Sequence, residues 1–186
     1  MLRFSARIGL IIICGLASLM GSASLAQDGL SPRLQIGINL LPAIVAANQS
    51  LAATDNSLSL PIYLVFREDR YLAEQLKQRI SQVGKIRGRA LDVMSISLDE
   101  LLASAPQPLG VVFIAEPLDR QLPDLVRFAQ QQRLLLFSPF AGDVERGVTA
   151  GFQVTEKVLP LVNMASLKQS KIQLKAFFLR IAVKHE

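Results

Sequence analysis

Two hydrophobic rhythms alternate along the chain. Ser31-Pro32 reads as a helix cap and first helical residue. Leu34, Ile38, Leu41 and Val45 then recur at helical spacing, with a second apolar row at Ile36, Leu40, Ile44 and Ala47. Pro42 lacks an N–H and crowds the carbonyl of Ile38, which predicts a kink or break. Asn48 to Ser59 is small and polar, a linker. From Leu60 the rhythm changes. Pro61 to Phe66 is continuously apolar, as in a strand covered on both faces. Asp69 can cap a following helix with Leu72, Leu76, Ile80 and Val83 inward, ended by Gly84. Further strands are predicted at Ala90–Ile96, Gly110–Ile114 and Arg133–Phe137. Between them lie a short helix with a Ser97–Glu100 capping box and one opened by Pro123, with Leu125, Val126 and Ala129 inward.

Strands alternating with helices imply right-handed crossovers and a parallel sheet. The alternation then stops. Val148–Val154 and Val158–Asn163, joined by Thr155-Glu156-Lys157, predict an antiparallel hairpin, with Pro160 at an edge or bulge. A last helix is predicted from about Ser170 to Lys184, apolar on two faces. The fold class is therefore α/β: one three-layer domain with a mixed, mostly parallel sheet, a C-terminal antiparallel hairpin and apolar terminal helices.

The start of the chain has a different character. Arg3 and Arg7 precede an apolar run from Ile8 to Met20, and Ser24-Leu25-Ala26 has the small-x-small cleavage pattern. Residues 1–26 read as a signal peptide, residues 27–59 as N-terminal helix and linker, and residues 60–186 as the α/β domain. Localisation is expected to be periplasmic. The run is short for a membrane span, and an uncleaved anchor is the alternative.

This leader changes the charge picture. The 186 residues carry a formal +5. The leader holds two of the 20 basic residues and none of the 15 acidic ones, so residues 27–186 carry +3. That near-neutral balance argues against a nucleic-acid partner. The single Cys, Cys14, lies in the leader, which leaves no pair for a disulfide. One Cys and one His also exclude a zinc finger or an iron–sulfur site and disfavour a Ser-His-Asp or Cys-His-Asn enzyme. No enzyme activity and no cofactor are expected. His185, beside the last residue, is expected to fray and is assigned no role.

Candidate chemistry is sparse. Gly84 to Arg89 looks like a phosphate loop but follows a helix, so it reads as a solvated basic turn. In open α/β sheets ligands sit beyond the carboxyl ends of strands. Those positions hold Arg67, Glu68 and Asp69, then Glu116, then Ser138-Pro139-Phe140. Arg67, Glu116 and Ser138 form the candidate ligand rim. Arg67 could grip an anion, or simply pair with Glu116. The two terminal helices, apolar nearly all round, are either core or docked on another chain. On the docked reading, Ile36, Leu40 and Ile44 form a partner interface, for a second copy or a membrane sensor.

Several segments carry a likeness: Ile62–Phe66, Gly88–Val93, Gly110–Ala115, Leu135–Ser138, Gly147–Phe152, Val162-Asn163 and Leu174–Ala182. In this order, behind a signal peptide and an apolar helix, they resemble the YfiR family of small periplasmic bacterial proteins. Two stretches depart from the family's pattern: Gly147-Val148-Thr149-Ala150 at the hairpin start and Leu159 to Asn163 after it. The resemblance implies a non-enzymatic regulator. Its partner would be a diguanylate cyclase or sensor kinase in the inner membrane, with a homodimer as a further option. The Gly147–Phe152 stretch is also similar to transporter-type periplasmic binding proteins. That likeness implies the alternative, a small-ligand-binding accessory of a sensor or transporter.

Overall fold

The computed structural model describes residues 29–50, 59–104 and 110–186. The leader expected at 1–26 and most of the linker lie outside the described residues. In chain order the elements are α1 (Pro32–Ala47), β1 (Leu60–Phe66), α2 (Arg70–Ser81), β2 (Lys85–Ile86), β3 (Arg89–Ser97) and α3 (Leu98–Ala103). There follow β4 (Val111–Ile114), α4 (Leu122–Gln132), β5 (Leu135–Phe137), β6 (Ala150–Val154) and β7 (Val158–Asn163). The chain closes with α5 (Met164–Gln169), α6 (Ala176–Ile181) and β8 (Val183–His185).

The described strands form one sheet in the order β2-β3-β1-β4-β5-β6-β7-β8. β3, β1, β4, β5 and β6 run parallel, while β6 and β7 make the expected antiparallel hairpin. Alternation along β1 splits the core into two halves, because successive side chains leave a strand on opposite faces. Leu60, Ile62, Leu64 and Phe66 join the core shared with α1 and α2. Tyr63 and Val65 join the opposite core with α3 and α4. This is the three-layer α/β fold. Asp69 caps α2 through Leu72 N at 2.8 Å, and the Ser97–Glu100 capping box opens α3.

α1 remains one helix through Pro42, with Ser31 at its cap. It lies flat on the sheet at Gly37. A Cβ there would come within 3.0 Å of Pro139 and 3.4 Å of the Phe137 ring. Beneath it Phe113 and Phe137 pack with ring centroids 5.4 Å apart. Ile44 is 0% exposed and Leu41 and Val45 are buried beside it. Ile36 and Leu40 are partly buried against the same core. The expected interface of Ile36, Leu40 and Ile44 is therefore corrected: Ile44 cannot meet a partner, since the second row packs inward as well.

The basic turn is the tip of a tight hairpin. Arg87 and Gly88 both adopt positive φ, 52° and 83°, between the paired Ile86 and Arg89. Such a two-residue turn suits the strand twist and favours Gly at its second position. Pro160 lies opposite Phe152 of β6, one residue before pairing with β8 begins at Leu161. Its missing N–H thus falls where β7 has no second neighbour.

The long C-terminal helix is corrected. Only Ala176–Ile181 is helical in its second half. Lys171 turns into the left-handed region at φ 54°. The following residues run extended against the end of α1, with Gln49 N donating to Gln173 O at 2.8 Å and Lys175 N to Ala47 O at 2.9 Å. β8 then pairs with β7, placing His185 beside Asn163 rather than at a frayed end. Pairing with distant backbone outweighs a locally helical spacing.

Candidate functional site

The strand order reverses direction at β1, with β3 on one side and β4 on the other. Such a reversal opens a crevice at the carboxyl ends of the two central strands. Here those ends are Arg67–Asp69 and Ala115–Pro117. A cleft of about 440 Å³ lies at this point, roofed by Gly29, Ser31 and Leu34 at the start of α1. Leu34, Leu72 and Phe140 give it apolar walls. Asp69 and Glu116 add carboxylates, and Tyr71, 75% exposed, stands at its mouth. The size lies within the usual range for small-molecule sites.

Glu116 is held by main chain. Its Oε1 accepts from Glu68 N at 2.6 Å, from Asp69 N at 3.4 Å and from Arg67 N. The Arg67 guanidinium turns away, pairing with Glu68 and donating to Gln121 Oε1 at 3.3 Å. Gln121 belongs to a 3-10 turn at Asp119–Gln121. Arg67 and Glu116 therefore do meet, but through the arginine's backbone.

Ser138 is not on the rim. It is 1% exposed, and its hydroxyl donates to Asp143 Oδ2 at 2.6 Å while accepting from Phe140 N at 3.1 Å. The loop from 138 to 149 connects two parallel strands without a helix and is pinned from inside. Asn163 Nδ2 donates to Val144 O at 2.8 Å, and Ser166 Oγ to Gly147 O at 2.7 Å. Burial pushes the Asp143 carboxyl above its ordinary range, against the opposing pull of the Ser138 hydrogen bond and of Arg146, 3.6 Å away. Ser138 thus positions Phe140, a wall of the cleft, instead of touching a ligand.

Of the expected rim Glu116 lines the cleft and Arg67 and Ser138 do not, while their strand-end neighbours Asp69 and Phe140 do. The strand-end rule missed the roof and Tyr71. Tyr71 carried a usable signal, an aromatic in the first turn after a strand end. The roof carried none, because the docking of α1 over β4 and β5 is a tertiary event.

No family model matches the chain, and no curated protein matches its sequence. Solved structures share the fold. A conserved domain protein from Vibrio cholerae superposes with a TM-score of 0.59 at 15% identity, covering 84% of this chain and 61% of its own. The ABC domain from Streptococcus pneumonia, in complex with L-Trp, superposes at 0.55 with 11% identity, covering 82% and 60%. The chain spans about three fifths of the length of each. At these identities the likeness concerns the fold.

Proposed function

We propose that this protein is a non-enzymatic periplasmic binding protein that receives a small apolar molecule and reports its presence to a membrane-bound signalling partner. The observation that carries this reading is the cleft at the β1/β4 reversal, apolar-walled and bordered by Asp69 and Glu116. A carboxylate-bordered apolar cleft suits a molecule with an aromatic or aliphatic body and an ammonium group. The complex of one structural neighbour with L-Trp makes indole compounds the natural first probes.

Tryptamine is to be titrated by calorimetry and thermal melting, with L-tryptophan as the comparison that adds a carboxylate. A ligand at a hundred times its Kd stabilises by about 2.7 kcal/mol. For a chain of this size that is a rise of roughly 5–11 °C in Tm. Tyr71→Ala, an exposed change, should leave the fold intact and reduce the rise. Absence of any rise across a panel of indole and phenyl amines refutes the reading.

A second reading has its own observation. α6 exposes Phe177 and Ile181, 54% and 59% accessible and four residues apart on one helix face. This supports direct contact with a cyclase or sensor kinase, as the resemblance to YfiR implies.

A further inference from the structure

Three consecutive main-chain N–H groups, those of Arg67, Glu68 and Asp69, converge on a single atom, Oε1 of Glu116. Successive amides aimed at one point form an anion-binding concavity. This one lies at the carboxyl end of β1, at the reversal where open α/β sheets receive ligands. Its occupant is a carboxylate of the chain itself, reaching across from the end of β4. The Arg67 guanidinium is engaged by Glu68 and Gln121 and does not supplement the concavity.

We propose that Glu116 is a specificity-determining residue: as a resident anion it fills the amide concavity, so the cleft refuses phosphate and carboxylate groups there and admits a neutral or cationic apolar molecule. This deepens the binding-protein reading and rests on it. Two effects act together. All three donors are already spent on one oxygen. The seated carboxylate also repels a second anion, and because it is tethered it competes at an effective concentration in the millimolar range or above. A phosphate-bearing ligand, such as a nucleotide, would need that carboxylate to leave.

The test is an amide-resolved NMR titration with inorganic phosphate on the wild type, Glu116→Gln and Glu116→Ala. In the wild type the amide signals of Arg67, Glu68 and Asp69 should stay still. In Glu116→Ala the same three should move with saturable phosphate binding, at least roughly tenfold tighter than any wild-type binding. Glu116→Gln keeps the acceptor oxygen and loses the charge, so it should gain affinity to a smaller extent. Should Glu116→Ala not fold, Glu116→Gln decides. Phosphate binding at these amides in the wild type, or a folded variant that gains none, overturns the proposal. Phosphate is the probe here and indole amines are the probes for the cleft, so the two readings fail separately.

Discussion

Removing the Ser138 hydroxyl should destabilise the protein with a signature that a ligand contact would not produce. Ser138→Ala takes one partner from the buried Asp143 carboxylate and one from the half-buried Phe140 N–H. A buried polar group left without a partner costs about 1–3 kcal/mol, with charged groups at the upper end. Part of the Asp143 loss is recovered by Arg146, whose guanidinium remains 3.6 Å away and also donates to Asp119 O. A net loss of about 2–4 kcal/mol is therefore expected. At this chain length it corresponds to a fall of roughly 4–16 °C in Tm. Urea unfolding followed by circular dichroism gives the free energy directly. The loss should shrink on acidification, because the bond from Ser138 is worth most to the ionised carboxylate and a protonated Asp143 needs it less. A loss below about 0.5 kcal/mol, the usual range for surface changes, would refute the buried-network account. A full-size loss with no pH dependence would assign the effect to packing around Phe140.

Two further perturbations follow from the same structure. Asp143→Asn removes a carboxyl that burial raises above its ordinary range. The folded state then holds that proton more tightly than the unfolded chain, so wild-type stability falls as pH rises through the raised value and returns below the ordinary carboxylate pKa of about 4. Asp143→Asn should accordingly match or exceed the wild type at pH 7 in melting experiments, with the wild type gaining on it at low pH; a large neutral-pH loss would mean that the Arg146 pair dominates. Phe177→Asp with Ile181→Asp changes exposed side chains and should shift stability by less than about 1 kcal/mol. On the partner-contact reading it abolishes co-sedimentation with inner-membrane vesicles; unchanged co-sedimentation removes α6 from the contact.

The local pattern of residues determined most of the α/β unit. β1, β4 and β5 are legible because a strand covered on both faces must be apolar at every position, as Leu60–Phe66 is. The caps at Asp69 and Ser97 are legible because the hydrogen bonds they make reach only three residues along the chain. The positions of Asp69, Glu116 and Phe140 near a crevice follow from topology once the strands are placed. What depends on distant partners was decided by the tertiary structure. Residues 172–175 have helical spacing yet run extended, since the backbone at Ala47 and Gln49 offers them hydrogen bonds. Ile44 belongs to an apolar row that could face a partner or the core, and α1 buries it because Gly37 lets the helix settle onto Phe137. Ser138 sits where a rim residue would sit, but Asp143, five positions on, draws its hydroxyl inward. Glu116 could have offered its carboxylate to a ligand or to a guanidinium. Its Oε1 accepts from three main-chain amides at the end of the adjacent strand, while the Arg67 guanidinium pairs elsewhere. Spacing along one element is a local property, whereas the hydrogen-bond partner of a side chain is set by which other elements fold against it.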